Sequence, residues 1–271
     1  MSLLFAIASF YIKTFMSNNE FRFSGISRLY GSKAGPILKN SHVCIIGIGG
    51  VGAWSVEALA RSGVGELTLV DLDDICVTNV NRQLHALDGE IGNLKVESMA
   101  KRCKLINPDI KINEITDFFT ASTSDKILSQ DFDYVIDAID SFENKILLVN
   151  ECHKRNIKVV TVGGAGGKQD PTKVAVDDLT KSWNDRLLQK LRKKLRRDYE
   201  FPRGGAKFDV LSVFSSELPF LQNEDGSVSQ TRNEEQKSYR LDCHTGYGSS
   251  SPVTGTFGLV AANVVIKELV R

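Results

Sequence analysis

Residues 43–82 constrain this chain more than any other stretch. VCIIGIGGVG (43–52) is an apolar strand running into glycines, ELTLVD (66–71) is a second strand closed by an acid, and VNRQ (80–83) follows within a dozen residues. Helical spacing of Val51, Val56 and Leu59 fills the interval from 50 to 62. Gly47, Gly49 and Gly52 form G-x-G-x-x-G, with Gly50 as an extra glycine. The first allows a tight turn, the second lets backbone approach phosphate, and the third lets helix pack on sheet. Because the motif stands between a strand and a helix, it predicts a bound nucleotide. Asp71, 19 residues past Gly52, closes the second strand where an acid accepts from ribose hydroxyls. Asp73 and Asp74 suit a solvated turn better.

The rhythm continues downstream. A helix is expected over 95–106, closed by Asn107-Pro108, then strands at 110–115, 134–137 and 159–162, with a helix through Leu147, Leu148 and Cys152. Strands alternating with helices of this length predict an α/β, Rossmann-like, doubly wound and mostly parallel sheet, with ligands at the strand carboxyl ends. After Pro171 the pattern changes to a C-terminal α/β extension packed on that sheet. It comprises a strand at 174–176, a helix capped by Asp178 or Thr180 and running to about Arg197, a strand at 210–214, a loop at 223–236 and a helix at 254–270. Residues 1–20 read as an extension and 21–271 as a single domain.

Asn79, Arg82 and Lys95 follow Asp71, and dinucleotide dehydrogenases do not require them. Their spacing resembles that of the ubiquitin-activating-like (ThiF/MoeB-type) adenylating superfamily. That resemblance implies ATP and Mg²⁺ as cofactors. Asn79, Arg82 and Lys95 would neutralise the triphosphate, and Asp140, in IDAIDS, would hold the metal. The chemistry agrees, since attack at the α-phosphate builds charge on departing pyrophosphate that guanidinium, ammonium and metal stabilise. Asp137, nearer the strand, competes with Asp140 as the metal ligand.

Five separated segments narrow the likeness: RFSGISRLYG (22–31), IDAIDS (136–141), VTVGGAGGKQDPT (160–172), VFSSE (213–217) and RLDCHTGYG (240–248). Together they resemble the tRNA threonylcarbamoyladenosine dehydratase family from about residue 21 to the C-terminus. The resemblance implies ATP-dependent adenylation of the threonyl carboxylate of a modified adenosine beside the anticodon. The carbamoyl group then closes a ring and expels AMP. It further implies a homodimer in which Arg28 completes the ATP site, in cis or in trans, and it admits a cysteine desulfurase system as a further partner. Relatives that activate sulfur carriers usually carry paired C-x-x-C motifs, and this chain has none. Activation of a small protein's C-terminal carboxylate is therefore the second reading. A catalytically silent nucleotide-binding protein and an NAD oxidoreductase stand behind it, because neither uses the Arg82, Lys95 and Asp140 set.

A net charge of +1 marks no overall field for nucleic acid, so any basic surface must be local. One stretch supplies it: KSWNDRLLQKLRKKLRR (181–197) holds eight basic residues against one acid. Leu187, Leu188, Leu191 and Leu195 give an apolar face, which leaves Arg186, Lys190, Lys193, Lys194, Arg196 and Arg197 as candidate tRNA-phosphate contacts. The glycines of 163–167 suit either a lining of the acyl site by backbone N–H groups or a flexible loop. The resemblance further implies that Cys243, in RLDCHTGYG, lines the active site without acting as a nucleophile, with an inert loop residue as the alternative, and His85 and His244 are expected to be structural.

The five cysteines are scattered and odd in number, which fits a reducing, cytoplasmic compartment and excludes a disulfide framework. The apolar run 3–12 is far shorter than the roughly 20 residues that span a bilayer. Residues 1–15 are expected to be dispensable, with Met16 resembling an ordinary start.

Overall fold

The computed structural model describes residues 21–223, 225–230 and 247–271. The readings of residues 1–15, of Cys243 and of His244 fall outside them. Two short helices open the described chain, α1 (Ser24–Tyr30) and α2 (Ala34–Lys39), followed by β1 (His42–Ile46), α3 (Gly52–Arg61) and β2 (Glu66–Val70). Then come α4 (Lys95–Ile106), β3 (Lys111–Ile115), a single turn α5 (Ser124–Ile127), β4 (Tyr134–Asp137), α6 (Phe142–Lys154) and β5 (Val159–Val162). The remainder is β6 (Val174–Asp178), α7 (Arg186–Asp198), β7 (Leu211–Ser215), a hairpin of β8 (Leu221–Gln222) and β9 (Val228–Ser229), and α8 (Ser251–Leu269).

Seven strands form one sheet in the order β3-β2-β1-β4-β5-β7-β6, parallel except for β6, which runs antiparallel to β7. The interior strands β1, β4 and β5 are nearly continuous apolar runs because helices cover both faces. One core, holding Val56, Leu59, Met99 and Phe257, lies under α3, α4 and α8. The other, holding Leu148, Leu188, Leu191 and Leu195, lies under α6 and α7. The C-terminal extension is thus built into the sheet rather than appended to it.

The strand order reverses between β1 and β4, and a ligand crevice forms outside the carboxyl ends of strands at such a point. Here the Gly47 N–H donates to Val70 O and the Ala138 N–H to Ile46 O, both at 2.9 Å, so the turns after β1 and β4 meet. Gly52 permits the close approach of α3. A Cβ at that position would stand 1.8 Å from Gly47 O.

Two boundaries differ from expectation. Asp178 caps only a 3-10 turn (Leu179–Lys181), while α7 starts later, at Arg186, capped by Asp185, whose carboxylate accepts from the Leu188 N–H. The intervening Ser182–Asn184 turn interrupts what the leucine spacing made look like one longer helix. In the predicted loop 223–236, Asp225-Gly226 supplies the turn between β8 and β9, and most of the rest lies outside the described residues.

Candidate active site

A cavity of about 1180 Å³ opens at the switch point, walled by the Gly-rich turn, the 71–83 segment, Lys95, the turn after β4 and the end of β5. Gly47, Gly49, Gly50, Asp71, Asn79, Arg82, Lys95 and Asp140 all line it. Gly52 sits just behind, buried where α3 meets the turn.

Asp71 is 8% exposed, and both of its oxygens are engaged: Oδ2 accepts from the Ile48 N–H at 2.6 Å and Oδ1 from the Asp73 N–H at 2.9 Å. The acid therefore braces the Gly-rich turn as well as facing the cavity. Lys95, 6% exposed, sets its Nζ 2.7 Å from Asp73 Oδ2 and 4.0 Å from Asp71 Oδ1. Asp73, read from sequence as a solvated turn residue, is the lysine's partner. Asn79 accepts from the Cys76 N–H through Oδ1 and so fixes the 3-10 turn Val77–Asn79.

Arg82 reaches its place through backbone anchors that sequence reasoning missed. Its carbonyl accepts from Trp54 Nε1 at 3.1 Å and from Thr254 Oγ1 at 3.3 Å, so α3 and α8 both hold it. Asn81 pins the same loop, donating through Nδ2 to Ser249 O and accepting at its carbonyl from the Ser251 N–H. The guanidinium of Arg82 itself donates to Thr78 O and Asn81 Oδ1, both local and exposed.

The two acids after β4 separate cleanly. Asp137 is fully buried, with Oδ2 2.8 Å from Lys145 Nζ and accepting from Thr161 Oγ1 at 2.6 Å, so it has no share in the cavity. Asp140 is exposed on the cavity wall. Asp137 is thereby removed as the competing metal ligand. Among the described residues no cluster of three or more His, Cys, Asp or Glu is poised to hold a metal by itself. Mg²⁺ needs no such cage, because it commonly takes one or two carboxylates and completes its shell with phosphate and water. Asp140 fits that demand. So does the wall's charge, where Asp71, Asp73, Asp74, Asp117 and Asp140 outnumber Arg82 and Lys95.

Arg28 is not brought to the cavity of its own chain. It lies exposed on α1, its Nη1 donating to Ser24 Oγ at 3.2 Å. His85 is buried, as a structural histidine should be. Its Nε2 meets Ile48 O at 2.8 Å, and burial holds the imidazole below its usual pKa. The basic helix is less open than its sequence suggests. Lys194 and Arg197 both pair with Asp198, each at 2.7 Å, and Arg196 lies 5.1 Å from the centre of the Phe208 ring and donates to Pro202 O. Arg186, Lys190 and Lys193 are exposed and form no ion pair among the described residues.

Residues 26–271 match the ThiF family. A tRNA threonylcarbamoyladenosine dehydratase from Haemophilus influenzae is 48% identical over 259 residues, covering 94% of this chain and 96% of that one. The fold superposes with a TM-score of 0.81 on the crystal structure of the E. coli tRNA N6-threonylcarbamoyladenosine dehydratase in complex with ATP, at 41% identity over 92% of this chain and 94% of that chain. The same enzyme's complex with AMP gives a TM-score of 0.80 at 40% identity.

Proposed function

The chain belongs to the ThiF family, and on that premise we propose that it is an ATP-dependent tRNA-modifying enzyme, a threonylcarbamoyladenosine dehydratase. It adenylates the threonyl carboxylate of the modified adenosine beside the anticodon and closes the ring with release of AMP. The observation that carries this reading is the cavity that gathers the Gly-rich turn, Asn79, Arg82, Lys95 and Asp140 at the sheet's switch point.

A carboxylate oxygen attacks the α-phosphorus and the bond to pyrophosphate breaks. Arg82 and Lys95 stabilise the charge that departs. Lys95 suits this role because the side chain of its partner Asp73 is 53% exposed and can yield the ammonium to a phosphate at little desolvation cost. Gly47–Gly52 supplies backbone N–H groups at the start of α3, and Asp71 holds the ribose. Asp140 would hold Mg²⁺, which when bound neutralises the triphosphate and polarises its phosphoryl oxygens. The carbamoyl group then attacks the acyl carbon of the adenylate and AMP leaves.

Residues 21–271 act as one adenylation domain. Arg28, exposed and off its own cavity, serves the ATP site of the partner protomer in a homodimer. The exposed Leu29 next to it in α1 supports a protein neighbour there. A cysteine desulfurase system is a further partner. Among the described residues no helix is long and apolar enough to cross a membrane, and four cysteines are free thiols, which supports a cytoplasmic setting.

The test is mass spectrometry of anticodon-loop nucleosides after incubating threonylcarbamoylated tRNA with the protein and ATP. Loss of one water from the modified adenosine, with AMP formed in step, is the expected result. Unchanged nucleosides, or AMP formed only with a carrier protein, would transfer the assignment to carboxylate activation on a protein.

A further inference from the structure

The cavity has two unlike ends. On the β2 side its wall carries Asp71, Asp73, Arg82 and Lys95. On the β5 side, among the described residues, it consists of the 162–166 backbone, Leu187 and the segment 247–249, without one charged side chain. Its volume of about 1180 Å³ exceeds the roughly 300–1,000 Å³ of ordinary small-molecule pockets, which leaves room for a second reactant beside ATP.

The neutral arm is a built site. Tyr247 is packed on the glycines after β5, so closely that a Cβ at Gly166 or Gly167 would come within 2.9 or 2.7 Å of it. The Gly167 N–H donates to Gly248 O at 2.7 Å and closes the contact. Asp185, 7% exposed, accepts from the Gly164 N–H at 2.8 Å through Oδ2 and from the Leu188 N–H at 2.9 Å through Oδ1. One buried carboxylate therefore ties the glycine backbone of the arm to the first turn of α7. In that turn Leu187 faces the cavity, while its neighbour Arg186 and, one turn on, Lys190 are exposed and form no ion pair among the described residues.

From this juxtaposition we propose that the β5-side arm is the subsite for an everted purine nucleoside. Its base stacks on Tyr247 beside Leu187, and Arg186 and Lys190 hold the phosphates flanking it. The inference rests on the tRNA reading above and names where that substrate sits. A base whose carboxylate must reach a phosphate deep in a cavity cannot do so from within a stacked loop, so it leaves the stack and is received by an aromatic face. The absence of cations among the described residues of the arm suits the reaction. The substrate carboxylate is then not held away from phosphorus by a salt bridge. Asp185 is a positioning residue, since it sets the phosphate-gripping turn of α7 against the base-receiving wall.

The test compares wild type, Tyr247→Leu, Tyr247→Phe and Leu187→Glu by single-turnover cyclisation of an anticodon stem-loop RNA carrying the modified adenosine, with ATP affinity measured separately. Tyr247→Leu is expected to lose about 10- to 100-fold in kcat/KM for the RNA, the value of one base–aromatic stack, with ATP Kd changed less than about twofold. Tyr247→Phe, which keeps the ring, should lose less. Leu187→Glu, at a half-buried position, carries the test if Tyr247→Leu does not fold. Equal losses for Phe and Leu, wild-type RNA kinetics in the variants, or ATP affinity falling in step would each overturn the subsite. A wild-type protein that converts no RNA would overturn the tRNA reading itself, and the subsite with it.

Discussion

Two aspartate–lysine pairs stand at the carboxyl ends of β4 and β2, the strands that flank β1 in this sheet, and they are opposites. Asp137 and Lys145, after β4, are fully buried, 2.8 Å apart and closed off by Thr161. Lys95, beside β2, touches Asp73 at 2.7 Å and Asp71 at 4.0 Å on the wall of an open cavity. The first cation is committed to the fold, because neither it nor Asp137 has another ionic partner among the described residues. The second keeps a pairing that a triphosphate can replace. Identical residue types therefore serve architecture or chemistry according to whether solvent and ligand reach them.

Removing Lys145 should break this contrast most sharply. Lys145→Met leaves the Asp137 carboxylate uncompensated where no water reaches it, and breaking such a pair costs about 3–5 kcal/mol. Urea unfolding should show that loss, and Asp137→Asn in the same chain should recover part of it, because the stranded charge is gone. A Lys145→Met protein as stable as wild type would mean that the buried pair contributes nothing to stability.

The open pair predicts the reverse pattern. Lys95→Ala, Arg82→Ala and Asp140→Ala should each lose at least about 10²-fold in turnover while remaining folded, since they stabilise charge that appears only in the reaction. Lys95→Ala is the informative one. A fall in melting temperature as large as that of Lys145→Met would show that the two lysines are alike after all. Unchanged turnover of a folded Asp140→Ala in Mg²⁺ would remove the metal assignment.

The two pairs also show how much of the molecule its sequence discloses. Lys95 and Asp140 were singled out by resemblance to the adenylating superfamily, and the fold brings both to the cavity wall. The sheet's parallel strands were legible because burial on both faces demands apolar runs such as VCII and YVID. Lys145 was not, because a lysine inside a helix reads as solvated, and only the tertiary fold brings β4 and β5 against it. Asp185 was masked by Asp178 and Thr180, which are equally good capping residues a few positions earlier. Trp54, Asn81 and Thr254 act on Arg82 through its backbone or its loop, and such contacts leave no trace in side-chain spacing. Arg28 was singled out by resemblance alone, and the cavity of its own chain does not include it.

Helix α7 repeats the comparison on the surface. Lys194, Arg196 and Arg197 are engaged by Asp198, Phe208 and Pro202, whereas Arg186, Lys190 and Lys193 form no ion pair among the described residues. If this second set tracks phosphates, replacing all three with Gln should flatten the plot of log K for tRNA against log salt. The expected change is about 0.7–0.9 for each phosphate no longer engaged. Replacing Lys194 and Arg197 should change the slope less, although the net charge falls nearly as far. Equal slopes for the two sets would mean that only net charge matters and that the pairing with Asp198 is broken on binding.

The smallest effect belongs to a pair that lies between the extremes. Glu57 on α3 is 9% exposed at its side chain and accepts from Arg61 at 2.7 Å and from Arg102 at 2.7 and 3.1 Å. Burial pushes its carboxyl up, but the two guanidinium groups outweigh burial and hold it below its usual value. A carboxylate depressed in the folded state adds stability above the unfolded pKa near 4.5, and this contribution is lost as pH falls through the folded value. Arg102→Gln removes one of two partners, and Arg102 is itself about a third exposed, so the loss at neutral pH should be about 0.2–1 kcal/mol. It should also shrink as pH falls from 4.5 through the depressed folded value, where Glu57 takes up its proton and ceases to distinguish wild type from variant. Chemical denaturation of both proteins at about pH 7 and about pH 3.5 measures this convergence. A difference that stays constant, or widens in acid, would show that Arg102 contributes packing of its stem on α3 and α4 rather than charge.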